Sequence, residues 1–175
     1  HPEIGFDEHR TSKIVQSKLR EYGVDEVHTG LGRTGVIGLI HGKSRGNKRV
    51  GIRADMDALP IEEISGVSFT SQKSGVMHAC GHDGHTTMLL GAAKHLTETR
   101  EFDGTAILIF QPAEEGLGGA REMINDGLFD QFPCDEIYGM HNSPNGQPGT
   151  MDICKGTAMA GAAFFDITIT GLGSH

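Results

Sequence analysis

Residues 105–110 read TAILIF, six positions without a charge, followed by Gln111-Pro112-Ala113-Glu114-Glu115. A run that is apolar at consecutive positions, not at alternate ones, suits a central strand covered on both faces. Upstream, two further β-like runs at 35–41 and 49–55 are separated by the polar turn KSRGNK, and downstream a short strand is expected at 136–140. Helices fall between them. Residues 8–22 place Ile14, Val15, Leu19 and Tyr22 on one stripe, with Gly23 as a stop. A second helix is expected from about Asp83, with Met88, Leu89, Ala92, Ala93 and Leu96 as its apolar face, and a short third over 119–126. Residues 56–81, punctuated by Gly, Ser and Pro, read as a loop. Helices alternating with strands predict an α/β fold, a sheet with helices on both faces. In such sheets ligands gather at the carboxyl ends of the strands.

Composition narrows the functions available. The 175 residues suffice for one full domain with an ordinary core. The formal net charge is −8, with both signs interspersed and no basic stripe, which argues against a nucleic-acid partner. No apolar run approaches the roughly 20 residues that span a bilayer, so no membrane partner is expected. Three cysteines without a framework spacing favour reduced thiols and a cytoplasmic location, although the chain opens on His1 and its true N-terminus is not visible. Near 157–161 the character changes. Residues 161–170 (GAAFFDITIT) alternate, with Phe165, Ile167 and Ile169 on one side and Asp166, Thr168 and Thr170 on the other, predicting a half-buried antiparallel strand. The expected division is therefore residues 1–157 and residues 158–175.

Three of the predicted strands run out into residues of one chemical kind: Asp55 and Asp57, then Glu114 and Glu115, then His141. The loop before the second helix, HACGHDGH, adds Cys80, His82, Asp83 and His85. A thiolate, imidazoles and carboxylates meeting at one sheet edge suit Zn²⁺, Mn²⁺, Co²⁺ or Ni²⁺ better than Ca²⁺ or Mg²⁺, which prefer oxygen alone. A single Cys is more often a small buried hydrophobe, but Cys80 and His82 flank Gly81 in a loop, where both reach one ion. His78 and His85 are balanced between capping the helix and steadying a ligand from behind. Glu114 and Glu115 would ordinarily be a solvated pair. Held together at a sheet edge they repel unless a cation compensates them, and adjacent side chains diverge, so one binds metal while its neighbour faces water or substrate. His1, His9, His28, His41 and His95 read as solvated, and Cys134 and Cys154 as inert.

RADMDALPIEE, MHACGHDGHTTMLLGAA, IFQPAEEGLGGAREMI, YGMHN and ITGLGSH, in that order, resemble the amidohydrolase branch of the M20 metallopeptidase family. That branch includes hippurate hydrolases, aminoacylases and hydrolases of auxin–amino acid conjugates. The resemblance implies two divalent metal ions (Mn, Zn, Co or Ni) in a catalytic α/β domain, incomplete here, followed by the first strand of an α+β lid that commonly dimerises. It further implies Cys80, His82, Glu115 and His141 as metal ligands, Glu114 as general base and Asp57 as the acid that orients a ligand. His175 resembles a lid histidine that steadies the tetrahedral intermediate, with GSH in place of the family's usual GGH. A further His ligand would lie beyond His175, so the chain resembles an N-terminal fragment of a protein that is a homodimer at full length. The implied activity is hydrolysis of the amide bond of small N-acyl amino acids through a metal-activated water. The alternatives are a dipeptidase or carboxypeptidase with the same metal chemistry, or a catalytically silent metal-binding fragment.

Overall fold

The structure, a computed structural model, describes residues 1–173, the side chain of Arg45 aside. Elements run α1 (His9–Glu21), β1 (Glu26–Thr29), β2 (Val36–His41), β3 (Ser44–Asp55), α2 (His82–Thr99), β4 (Asp103–Gln111), α3 (Gly119–Asn125), α4 (Leu128–Gln131) and β5 (Glu136–Gly139). The five strands form one mixed sheet in the order β1-β2-β4-β3-β5. β1, β2 and β4 pair antiparallel, whereas β4, β3 and β5 run parallel.

TAILIF is the centre of this sheet, and its side chains divide between two cores. Ala106, Leu108 and Phe110 face α1 and α2, where Val15, Leu19, Leu89 and Ala93 close over them. Ile107 and Ile109 face the other way, beneath Met123 of α3 and Leu128 of α4. The period of two thus sends one apolar run into both layers, and helices cover both faces of the sheet as expected.

Several boundaries differ from the sequence reading. The KSRGNK turn is partly strand, because β3 begins at Ser44 and pairs with Asp103 before a register shift leads to Arg49. β1 and α4, each four residues long, are too short to leave a periodic signal. Ile14 and Met88 lie exposed and not on the buried faces. In α2 the buried face begins with His82, His85 and Thr86, so apolarity alone misplaces that face by one residue.

Contacts within the chain gather His1–Asn142 into one compact unit, with a second beginning at Ser143. Residues 143–173 contain neither helix nor strand. The strand expected over 161–170 is not formed: Phe164, Phe165, Ile167 and Ile169 are exposed. Alternation supplies one apolar face, but a strand also needs a neighbour for its backbone and a layer over that face, and the described residues offer neither. No helix among the described residues is long and apolar enough to cross a membrane.

Candidate metal centre

Register sets the site. Asp55 lies beside Gln111, and Arg53 beside both Ile109 and Gly139, so the three parallel strands end at one level. A few residues past those ends come Asp57, Glu114 with Glu115, and His141. The first turn of α2 enters the same edge. Its N-cap Gly81 has φ 86°, a left-handed conformation natural to glycine, and a side chain there would run into the Asn142 amide. That turn allows Cys80 and His82 to face a common point.

Two overlapping clusters result. The ligand atoms of Cys80, His82 and His141 lie within 4.8 Å of one another, and so do those of His82, Glu114 and Glu115. Cys80 Sγ is 3.3 Å from His141 Nε2. His82 is common to both groups and almost fully buried. Its Nδ1 meets Asp57 Oδ1 at 3.2 Å, while Asp57 Oδ2 accepts the Glu115 backbone N–H at 3.0 Å. Donation from Nδ1 to a carboxylate leaves the lone pair on Nε2. That nitrogen lies 3.8 Å from Glu115 Oε1 and 3.6 Å from Asp55 Oδ2, which is already paired with Arg53. His82 Nε2 and Glu115 Oε1 are both buried and lack a hydrogen-bond partner among the described residues.

An orphaned buried acceptor costs about 1–3 kcal/mol, and here two lie 3.8 Å apart. Ligands about 2.1 Å from one ion stand up to roughly 4.2 Å apart, so a cation between Nε2 and Oε1 satisfies both. The thiol, imidazole and carboxylate set therefore fits a first-row divalent ion.

Electrostatics agree. Burial pushes the Cys80 thiol up to about 11, with Glu115, Glu114 and Asp55 adding to it. Burial alone would lower the His82 pKa, but the Asp57 hydrogen bond and the charges of Asp55, Asp57 and Glu115 raise it. For Asp57, burial would raise the pKa, yet the bonds from His82 and from the Glu115 and Glu114 backbones hold it low. The pocket is thus negative, and a divalent ion would neutralise it. Ligation by Cys80 and His82 would compete with the protons that this environment favours on them, so affinity should rise with pH, by up to roughly tenfold per unit for each proton released. Isothermal titration with Co²⁺ or Zn²⁺ between about pH 6 and 8, in buffers of different ionisation enthalpy, measures this. A flat profile without proton release would remove Cys80 and His82 from the ligand set.

A second polar line stands behind the first. The buried Asp55 pairs with Arg53 Nη1 at 2.8 Å and with His85 Nδ1 at 2.6 Å. His85 Nε2 meets Asn142 at both its backbone N–H (3.0 Å) and its side-chain Oδ1 (2.7 Å), and the two rings of His85 and His141 lie 4.5 Å apart. Asp55, His82 and His85 also have ligand atoms within 4.8 Å of one another, but both nitrogens of His85 are occupied. His85 accordingly stands as a support for the His141 loop. His78 Nδ1 is buried without a partner among the described residues, and burial lowers its pKa. Sequence reasoning overlooked Arg53 and Asn142. Asn142 could have been suspected only as the neighbour of His141. His175 lies outside the described residues.

Comparison with known proteins follows the same lines. Residues 51–171 match the model described as Peptidase family M20/M25/M40. The chain is 50% identical over 175 residues to a hippurate hydrolase of Campylobacter jejuni, covering all of this chain and 45% of that protein. It is 46% identical over 179 residues to thermostable carboxypeptidase 2 of Saccharolobus solfataricus, covering all of this chain and 44% of that one. The chain thus spans less than half the length of these relatives. The crystal structure of the Bacillus subtilis YXEP protein, described as a dinuclear metal-binding peptidase of the M20 family, superposes with a TM-score of 0.77 at 42% identity, over 83% of this chain and 40% of that one.

Proposed function

The chain belongs to peptidase family M20/M25/M40, and from that premise we propose that it carries the metal-binding half of a site that hydrolyses the amide bond of N-acyl amino acids. One observation carries the reading: His82 Nε2 and Glu115 Oε1 are buried, unpartnered among the described residues and 3.8 Å apart, with Cys80, His141 and Glu114 around them. Cys80, His82, Glu115 and His141 would hold the metal, and Asp57 would orient His82 and the Glu115 backbone. Two ions are the expected complement, as in the B. subtilis protein. When bound, such ions polarise a carbonyl and bring the pKa of water toward about 7.

The chain's own contribution lies with the Glu pair. Glu115 is turned inward, whereas its neighbour Glu114 is exposed on the open side. Glu114 is then free to take a proton from the attacking water and to return it to the departing amide nitrogen, giving a carboxylic acid and a free amino acid. A homodimer is the proposed state of the full-length protein.

Substrate class is decided by assay. Full-length protein, stripped with chelator and reloaded with Mn²⁺, Zn²⁺, Co²⁺ or Ni²⁺, is expected to cleave N-benzoyl and N-acetyl amino acids only when reloaded. Dipeptides should show a kcat/KM lower by roughly tenfold or more. The reverse preference would establish the dipeptidase or carboxypeptidase reading. Bound metal without turnover on either class would mark a silent metal-binding protein.

A further inference from the structure

We propose that Glu8 is a positioning residue for Glu114 and Glu115, holding through its buried carboxyl group the turn from which those two side chains diverge. The inference rests on the roles given above to that pair.

Glu8 sits at the entrance to α1, where an acidic residue would ordinarily cap the helix. It makes no side-chain cap bond. That duty falls to Glu3, whose carboxylate accepts the N–H groups of Arg10 and Thr11 at 2.9 and 2.8 Å. Glu8 instead turns inward and is 0% exposed. Its Oε1 accepts the Ala113 backbone N–H at 2.8 Å, and its Oε2 accepts the Thr34 hydroxyl at 2.6 Å. Neither partner is charged, and burying a carboxyl group on neutral partners is costly. A brace at a functional turn is what such a group supplies.

That turn is under strain. Ala113 is buried at φ 49°, in the left-handed region that non-glycine residues avoid at a cost of about 1–2 kcal/mol. It immediately precedes Glu114. Its N–H is fixed by Glu8, and its carbonyl accepts the Gly119 N–H at 2.9 Å. The segment bearing Glu8 presses on the same spot: a Cβ at Gly5 would come within 2.9 Å of Ala113 Cα. The segment also reaches the other carboxylate loop, since Glu3 C=O accepts the N–H of Ala58, next to Asp57, at 2.8 Å. Residues 3–8 therefore tie the β3 and β4 exits together, and Glu8 is their polar link to the Glu pair.

Burial pushes the Glu8 carboxyl pKa up, while the hydrogen bonds from Thr34 and Ala113 oppose that shift. A glutamine keeps the acceptor for the Ala113 N–H and reverses the second bond, its amide donating to the Thr34 hydroxyl oxygen in place of accepting from it. The test uses full-length protein carrying Glu8→Gln, Glu8→Leu or Thr34→Val, titrated with Co²⁺ and followed by the visible spectrum, with kcat and KM measured alongside. Glu8→Gln should match wild type within about threefold. Glu8→Leu should lower kcat by roughly 10- to 100-fold with KM nearly constant, weaken Co²⁺ binding and shift its bands, since small misplacements of reacting groups cost that much. If Glu8→Leu does not fold, Thr34→Val is read in its place, with a smaller shift of the same kind. Wild-type kcat, Co²⁺ affinity and spectrum in the variant read would overturn the proposal, as would equal damage from Gln and Leu. Failure of the underlying site reading is distinct, because wild type itself would then give no Co²⁺ spectrum or turnover.

Discussion

Replacing Glu114 by Gln is expected to leave metal content unchanged and to lower kcat by about 10²–10⁴-fold, the range a general base contributes. The expectation follows from how two adjacent carboxylates leave the end of β4. Glu115 carries the buried, unpartnered Oε1 that lies 3.8 Å from His82 Nε2, and its N–H is tied to Asp57. Glu114 is exposed and contributes a ligand atom only to the cluster that His82 and Glu115 share with it. A glutamine side chain keeps the size and reach of the carboxylate but takes up no proton, so binding should survive while proton transfer does not. Glu115→Gln should do the opposite and lose metal first. Metal analysis with steady-state kinetics on both variants separates the roles. If E114Q turned over at the wild-type rate, or lost its metal, Glu114 would not be the base.

The sequence discloses the centre of this fold and the edge of its site for the same reason: both are written in consecutive residues. TAILIF can only be a strand covered on both faces, and it is the middle strand. The chemistry-bearing residues stand directly after β3, β4 and β5, where residue type and strand end coincide. What stayed hidden depends on distant pairing. β1 exists because Glu26–Thr29 finds β2, and no pattern in EVHT declares it. Residues 161–170 show the converse, since an alternating pattern without a neighbour remains irregular. In the site, Asp55 and His85 were visible as residue types, but their 2.6 Å contact joins positions thirty apart. Glu8 meets Ala113 across 105 residues. Such supports carry no local motif, because their meaning lies in what they touch.

His82 is where the two layers of the site meet, and His82→Ala should be the most damaging single change to metal binding, lowering affinity by more than the roughly 10- to 100-fold lost with an outer partner. It is the one residue present in all three clusters of ligand atoms found among the described residues. The same substitution also removes the side-chain partner of Asp57 and leaves it the Glu115 backbone N–H, so the protein loses stability as well, by less than the roughly 3–5 kcal/mol of a buried charge left wholly unpaired. The pH window of that loss follows from the two shifts. The His82 pKa is raised in the folded state, so its contribution is whole below the unfolded value of about 6.5 and fades as pH rises through the folded one. The Asp57 pKa is lowered, so its contribution is present above about 3.9 and fades as pH falls through the folded value. In metal-free protein the pair is therefore complete between roughly pH 4 and 6.5. Urea unfolding of stripped H82A against stripped wild type should show a larger deficit at about pH 5.5 than at about pH 9. Part of the deficit persists at the higher pH, because neutral His82 still donates from Nδ1 to Asp57. In metal-loaded wild type the slope reverses, since protons and metal compete for Nε2 and metal stabilisation grows with pH. A deficit in the stripped proteins that is equal or larger at the higher pH would show that the His82–Asp57 contact is not an ion pair. The affinity loss would then have to come from ligation alone.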